Sequence, residues 1–167
     1  MSEPDQSAAA HAAEPGSPAD VFRRLVQGVC DRQTAELSQL YAEQTSVRHP
    51  LDPQRAPALT TRQQLTEHFR GGFQALGEIR FTAAALTLHQ TTDPEVIIGE
   101  FEYRGVMPGT GEPFDLPNIF VVRVRDGQIV RYDDYMDPIA LCRLLGRTGE
   151  LAEALSAAES PPNTASS

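Results

Sequence analysis

The 167-residue chain contains no lysine: all fourteen of its basic residues are arginine. That excludes a lysine Schiff base, a pyridoxal-phosphate anchor and a Walker-type phosphate loop, each of which needs a primary amine. Tryptophan is absent too, and cysteine occurs twice, at Cys30 and Cys142, without CxxC spacing. Two distant thiols and no leader-like segment argue against a disulfide framework or zinc knuckle, and for a reduced, cytoplasmic protein. No apolar run reaches the eighteen residues of a membrane span. Positive charge is scarce, fourteen arginines against 23 acidic residues for a net charge of -9, and only Arg23-Arg24 stand together. A phosphate backbone is held by clustered cations, so nucleic acid is not the expected partner.

Hydrophobic residues make up 40% of the chain, and the shortfall lies at the ends. Residues 1–18, including His11, carry almost no large apolar side chains and read as a disordered lead; residues 159–167, with Pro161-Pro162, read the same way. Residues 19–158 remain for one domain. Val21, Phe22, Leu25, Val26 and Val29 recur at helical steps, with Asp20 placed near the N-terminus, and a second helical run passes through Leu37, Leu40 and Tyr41. The period then changes to two in Thr45, Val47 and His49, and Pro50 ends that strand. After a Pro-rich loop, Thr60 or Thr61 caps a third helix, with Gln64 at capping-box distance and Leu65, His68, Phe69, Phe73 and Leu76 along its apolar side. Four strands follow at about 79–89, 96–106, 114–125 and 128–136, separated by turn residues. Asp126-Gly127 is the strongest hairpin signal. A short helix starts near Asp137-Pro138. Helices first and an antiparallel meander second is an α+β pattern.

Three passages in this order resemble the nuclear transport factor 2-like fold, also known as the ketosteroid isomerase or SnoaL-like fold. LYAEQTSVRHP is similar to its passage from helix two into the first strand, TTRQQLTEHFR to its third helix, and DGQIVRYDDYMDP to its final hairpin. Within that superfamily the chain is similar to SnoaL-like polyketide cyclases and phenazine biosynthesis A/B-type proteins, through YMDPIALCRLLG among other stretches. The resemblance implies a cone-shaped α+β barrel, a curved and mostly antiparallel sheet wrapped around the N-terminal helices. It also implies a homodimer, a small apolar ligand, no cofactor and a place in secondary metabolism such as antibiotic biosynthesis. The fold hosts isomerases, cyclases and plain binding modules alike, so function has to be argued from the site.

Alternation places Val130, Tyr132, Asp134 and Met136 on one face of the last strand, and Ile129, Arg131, Asp133 and Tyr135 on the other. The resemblance turns the first set inward, which makes Asp134 a carboxylate in an apolar pocket, able to do acid or base work. The phenazine-type proteins carry a catalytic Glu there; the Asp is one methylene shorter. The alternative for Asp133 and Asp134 is a pair of solvated strand-end charges. His68 matches a histidine that acts with that carboxylate in the same family, against the alternative of a core histidine. His49 matches the catalytic Asp of ketosteroid isomerases and is a candidate base or orienting group, or else a strand-end hydrogen-bonding residue. The tyrosine and protonated aspartate of those isomerases' oxyanion hole fall here near Leu25 and Phe120, so that constellation is not expected. Asn118 and Tyr132 are candidate donors to a substrate oxygen, with Phe69, Phe73, Phe120 and Met136 as the apolar lining. Glu100, Glu102 and Arg104 share a row and read as cross-strand ion pairs, or else turn inward and add a second carboxylate to the pocket. Four histidines without paired ligand spacing give no metal motif. The expectation is thus a cofactor-independent cyclase or isomerase acting through His68, Asp134 and His49, against a non-catalytic module of the same fold whose cavity is filled by Phe69, Phe73, Phe120 and Met136.

Overall fold

The computed structural model describes residues 13–159; the remaining segments, 1–12 with His11 and 160–167, lie outside it. Helix α1 spans Pro18–Asp31. It starts one residue earlier than the apolar period suggests, because Ser17 rather than Asp20 is the N-cap, its side chain accepting from the Asp20 N–H. Asp20 in turn accepts from the Gly16 N–H at 2.9 Å, so two otherwise orphaned donors are satisfied reciprocally. Helix α2, Thr34–Gln39, is short and stops before Leu40 and Tyr41. Helix α3, Arg62–Leu76, opens with the expected capping box, formed by Thr61 and Gln64. The C-terminal run is two helices, α4 Pro138–Leu144 and α5 Thr148–Glu159, divided at Gly146, whose φ of 68° is one that glycine adopts freely.

Six strands form one sheet: β1 Gln44–Arg48, β2 Leu59–Thr61, β3 Arg80–Gln90, β4 Val96–Val106, β5 Pro113–Arg125 and β6 Gln128–Asp134. Their order is β2-β1-β6-β5-β4-β3. All neighbours are antiparallel except β1 and β6, which run parallel with Val47 opposite Tyr132 and Arg48 opposite Asp133. The three-residue β2 was not expected, since it is too short to show a period. The curved sheet and the helices on its inner face make this the α+β architecture read from the sequence.

One inside-outside assignment is corrected. Arg123 pairs with Arg131 and Val124 with Ile129, so one residue, Val130, is extra in β6. That bulge turns Ile129 inward, fully buried, in the place expected for Val130. Beyond it the alternation resumes, and Tyr132 and Asp134 face inward as expected. Strand β6 ends at Asp134, so Met136 lies past it.

Helix α1 packs its Val21, Phe22, Leu25 and Val26 side chains against the inner faces of β3, β4 and β5. The closest approach is at Gly99, where a Cβ would lie 2.1 Å from Phe22 Cζ. Phe22 there meets Phe101 edge-on, ring centroids 6.1 Å apart. The core is thereby filled at the α1 end. It stays open at the other end, between α3, β6 and the C-terminal helices.

Candidate active site

A cavity of about 600 Å3 occupies that open end. Its inner wall is hydrocarbon from Leu25, Val47, Leu116 and Phe120. Phe69 and Phe73 of α3 line one side and are only partly buried, because they face the cavity. Phe69, Phe73, Phe120 and Met136 therefore line the space without filling it. The mouth is framed by the Pro-rich loop, through Leu51, Asp52 and Pro53, and by α5, through Glu150, Leu151 and Ala154.

Three titratable side chains from three elements meet on this wall. Asp134 comes from the end of β6, His49 from the residue after β1, and His68 from the middle of α3. The parallel pairing of β1 with β6 brings His49 beside Asp134, His49 Nε2 lying 4.0 Å from Asp134 Oδ2. The two imidazole rings lie 5.0 Å apart, tilted by 40°. Arg48 fixes this register from the opposite face, its guanidinium gripping Asp133 at 2.6 and 2.9 Å.

Burial lifts Asp134 to a pKa of about 6, against the Met136 N–H, the Tyr132 hydroxyl and His68, which favour the carboxylate. Its Oδ1 accepts from Met136 N–H at 2.9 Å and its Oδ2 from the Tyr132 hydroxyl at 3.0 Å. Burial also draws His68 below the ordinary histidine value, the neighbouring His49 adding to this and Asp134 opposing it. The side chain is nonetheless reached from the cavity, so His68 is not the core histidine considered as its alternative. His49 is lowered for the same first reason, with Asp52 opposing. A carboxyl raised and two imidazoles lowered bring the three groups closer in proton affinity than the free side chains are, which suits proton exchange among them.

Asn118 departs from the expected arrangement. It is buried on the inner face but is not on the cavity wall, because its amide turns back along its own strand to the Leu116 carbonyl at 2.6 Å. Tyr132 is on the wall and already spends its proton on Asp134. Glu100 and Glu102 face outward, pairing with His89 at 2.8 Å and with Arg104 at 2.7 Å. No group of three or more His, Cys, Asp or Glu among the described residues is disposed to hold a metal ion. Sequence reasoning passed over Tyr41 and Tyr103, both fully buried cavity residues. Period two along β4 signals Tyr103, inward with Phe101; Tyr41, expected at the end of a helix, lies past α2 in an isolated bridge to Ile129.

Several comparisons bear on this geometry. A Bacillus subtilis structure provisionally named an isomerase superposes with a TM-score of 0.67 at 23% identity, covering 77% of this chain and 92% of that one. A Xanthomonas campestris pv. campestris structure provisionally named a polyketide cyclase gives a TM-score of 0.59 at 15% identity, covering 76% and 95%. A PhzA/B-like protein of Pseudomonas aeruginosa, PA3332, is 38% identical over 68 residues, 41% of this chain and 47% of that protein. The profile of the SnoaL-like domain matches residues 22–132, well over half of the sequence and all but the last two residues of β6, and the chain belongs to that family.

Proposed function

We propose that the protein is a cyclase or isomerase that needs no cofactor and moves a proton next to a carbonyl or imine of a small, mostly apolar secondary metabolite. The observation that carries this reading is the meeting of Asp134, His68 and His49 on the wall of an open apolar cavity. At neutral pH Asp134, with a pKa of about 6, is mostly ionised and His68 is neutral. Each can accept a carbon-bound proton and return it to a second carbon. His49 orients the pair. Relatives provisionally named an isomerase and a polyketide cyclase support the reaction class.

Proton exchange into deuterated water, followed by NMR on a panel of cavity-sized ketones, tests it. Wild type is expected to exchange an α-proton that Asp134→Asn and His68→Ala leave in place. Equal exchange by all three proteins would overturn the assignment.

The reading includes a cytoplasmic homodimer formed through the outer face of the sheet, where Ile119 and Tyr135 are exposed beside Ile98 and Val121. Light scattering that finds only monomer at working concentration would remove that part.

A further inference from the structure

The charges on the cavity wall do not balance. Among the described residues that line it, the charged side chains are Asp52, Asp134, Arg147 and Glu150. Arg147 and Glu150 neutralise each other at the mouth, where the guanidinium donates to the carboxylate at 2.9 Å. Asp52 stands at the rim and serves its own loop, accepting from the N–H groups of Gln54 and Ala56. Asp134 is the charge inside.

No cation of the protein answers it. The Asp134 carboxylate accepts from two uncharged donors, the Met136 N–H and the Tyr132 hydroxyl. Among the described residues its ion-pair contact is with His49, at 4.0 Å. Burial holds His49 and His68 below the ordinary histidine value, so both rings are neutral at pH 8. The guanidiniums at this end of β6, those of Arg48 and Arg131, lie on the outer face and are bound to Asp133. A buried carboxylate without a counter-ion is costly, and two neutral donors occupy only two of its roughly four acceptor positions. Of the Asp134 side chain 10% remains exposed, on the cavity wall. Phe69, Phe120 and Tyr132 share that wall, and aromatic rings receive a nearby cation better than aliphatic side chains do.

We infer that the cavity takes a ligand with a basic nitrogen, protonated in the site, whose cation pairs with Asp134 while an apolar body occupies the space toward α3 and α5. One uncompensated carboxylate at depth favours a cation over a neutral molecule of similar shape and disfavours an anion. This ligand class narrows the imine branch of the proposed function and rests on that reading only in taking the cavity as a ligand site; no turnover is required.

Three probes of similar shape test it by calorimetric titration into the full chain at pH 8: 2-naphthylmethylamine, which is protonated there, neutral 2-naphthalenemethanol, and anionic 2-naphthoate. Wild type is expected to bind the ammonium about tenfold more tightly than the alcohol, and the carboxylate most weakly. Asp134→Asn should bring the ammonium to within about twofold of the alcohol, whose own affinity stays nearly constant and reports that the variant is folded. The preference should persist in about 0.5 M sodium chloride, which screens long-range attraction far more than a buried pair. Equal affinity for ammonium and alcohol in wild type, tightest binding of the naphthoate, or no binding of any probe overturns the ligand class. An ammonium preference that Asp134→Asn retains, or that salt abolishes, also overturns it, by placing the attraction on the chain's overall charge of -9. Proton exchange by wild type on neutral ketones separates the two proposals. Exchange without an ammonium preference removes the ligand class alone, and an ammonium preference without exchange removes the proton transfer alone.

Discussion

Asp133 and Asp134 are adjacent in sequence and opposite in environment. Asp133 lies on the outer face, where burial alone would raise its pKa but the guanidiniums of Arg48 and Arg131 bring it below the ordinary value. Asp134 lies on the inner face with only uncharged donors on its oxygens, and burial lifts it to about 6. The alternation of a single strand thus makes one carboxylate a structural anchor and the other a titrating group.

Opposite shifts give opposite pH signatures. Asp134 binds its proton more tightly folded than unfolded, so its ionisation costs stability as pH rises from about 3.8 through about 6. Asp134→Asn is therefore expected to stabilise the protein at pH 8 by roughly 2–3 kcal/mol, a tenfold change in proton affinity being worth about 1.36 kcal/mol, and to give no gain at pH 4. Asp133 binds its proton less tightly folded, so its contribution is present above the unfolded pKa and is lost as pH falls through the lowered folded value. Asp133→Asn should cost about 2 kcal/mol at pH 7, with the difference shrinking in acid. Urea melts at both pH values check both signs.

The same titration should govern turnover. If Asp134 acts as carboxylate, kcat/KM rises with pH through about 6, the limb belonging to Asp134 and the two histidines as a coupled set. Asp134→Asn should lower kcat by about a hundredfold or more and shift the limb to that of the remaining histidines, while His68→Ala should lower kcat and shift it. A pH-rate profile of each variant on the substrate found by proton exchange measures this.

Gly99 gives a prediction about packing. With Phe22 Cζ 2.1 Å from where a Cβ would stand, Gly99→Ala has to displace a fully buried ring that also touches Phe101 and Phe120. Overpacking of this kind costs about 1–3 kcal/mol. Thermal melts should show the loss, and Phe22→Leu in the same chain should recover part of it.

Much of this architecture was legible because it rests on local rules. The Thr61-Gln64 capping box and the Asp126-Gly127 hairpin follow from spacing alone, and the inward face of Asp134 from alternation together with the family resemblance. What stayed hidden depends on distant partners. The extra residue at Val130 is visible only in how β6 pairs with β5, and it reversed Ile129 and Val130. Asn118 shares the face of Phe120, yet its amide satisfies itself on Leu116. His49 and His68 are nineteen residues apart, and the parallel pairing that sets His49 beside Asp134 has no sequence signature.

Arg32 ties two helices that carry the site's scaffold. Its guanidinium donates to the carbonyls of Phe73 in the last turn of α3 and of Gly77 and Ile79 just past it, and lies 5.9 Å from the Phe73 ring centre. Arg80 shares the Gly77 and Ile79 carbonyls, and the Arg32 cation, placed at the C-terminal end of α3, fastens that end to α1. Arg32→Met, which keeps the stem and removes the donors, should cost about 1.5–3 kcal/mol, read as a lower urea midpoint with an unchanged slope.

The last expectation concerns α5. Its Glu150, Leu151 and Ala154 line the cavity mouth, but its packing is chiefly against α4, and none of its side chains among the described residues belongs to the core that α1 and the sheet share. Arg147 holds its first turn to Glu150 at 2.9 Å, an exposed pair that adds little to stability. A helix attached this way covers the cavity mouth more than it supports the fold. Ending the chain after Arg147 should leave Tm within a few degrees of wild type while weakening the binding of cavity-sized ketones about tenfold, because the bound body loses its apolar cover. A large fall in Tm would instead make α5 part of the folding core, and unchanged affinity would show that the ligand lies entirely beneath α3.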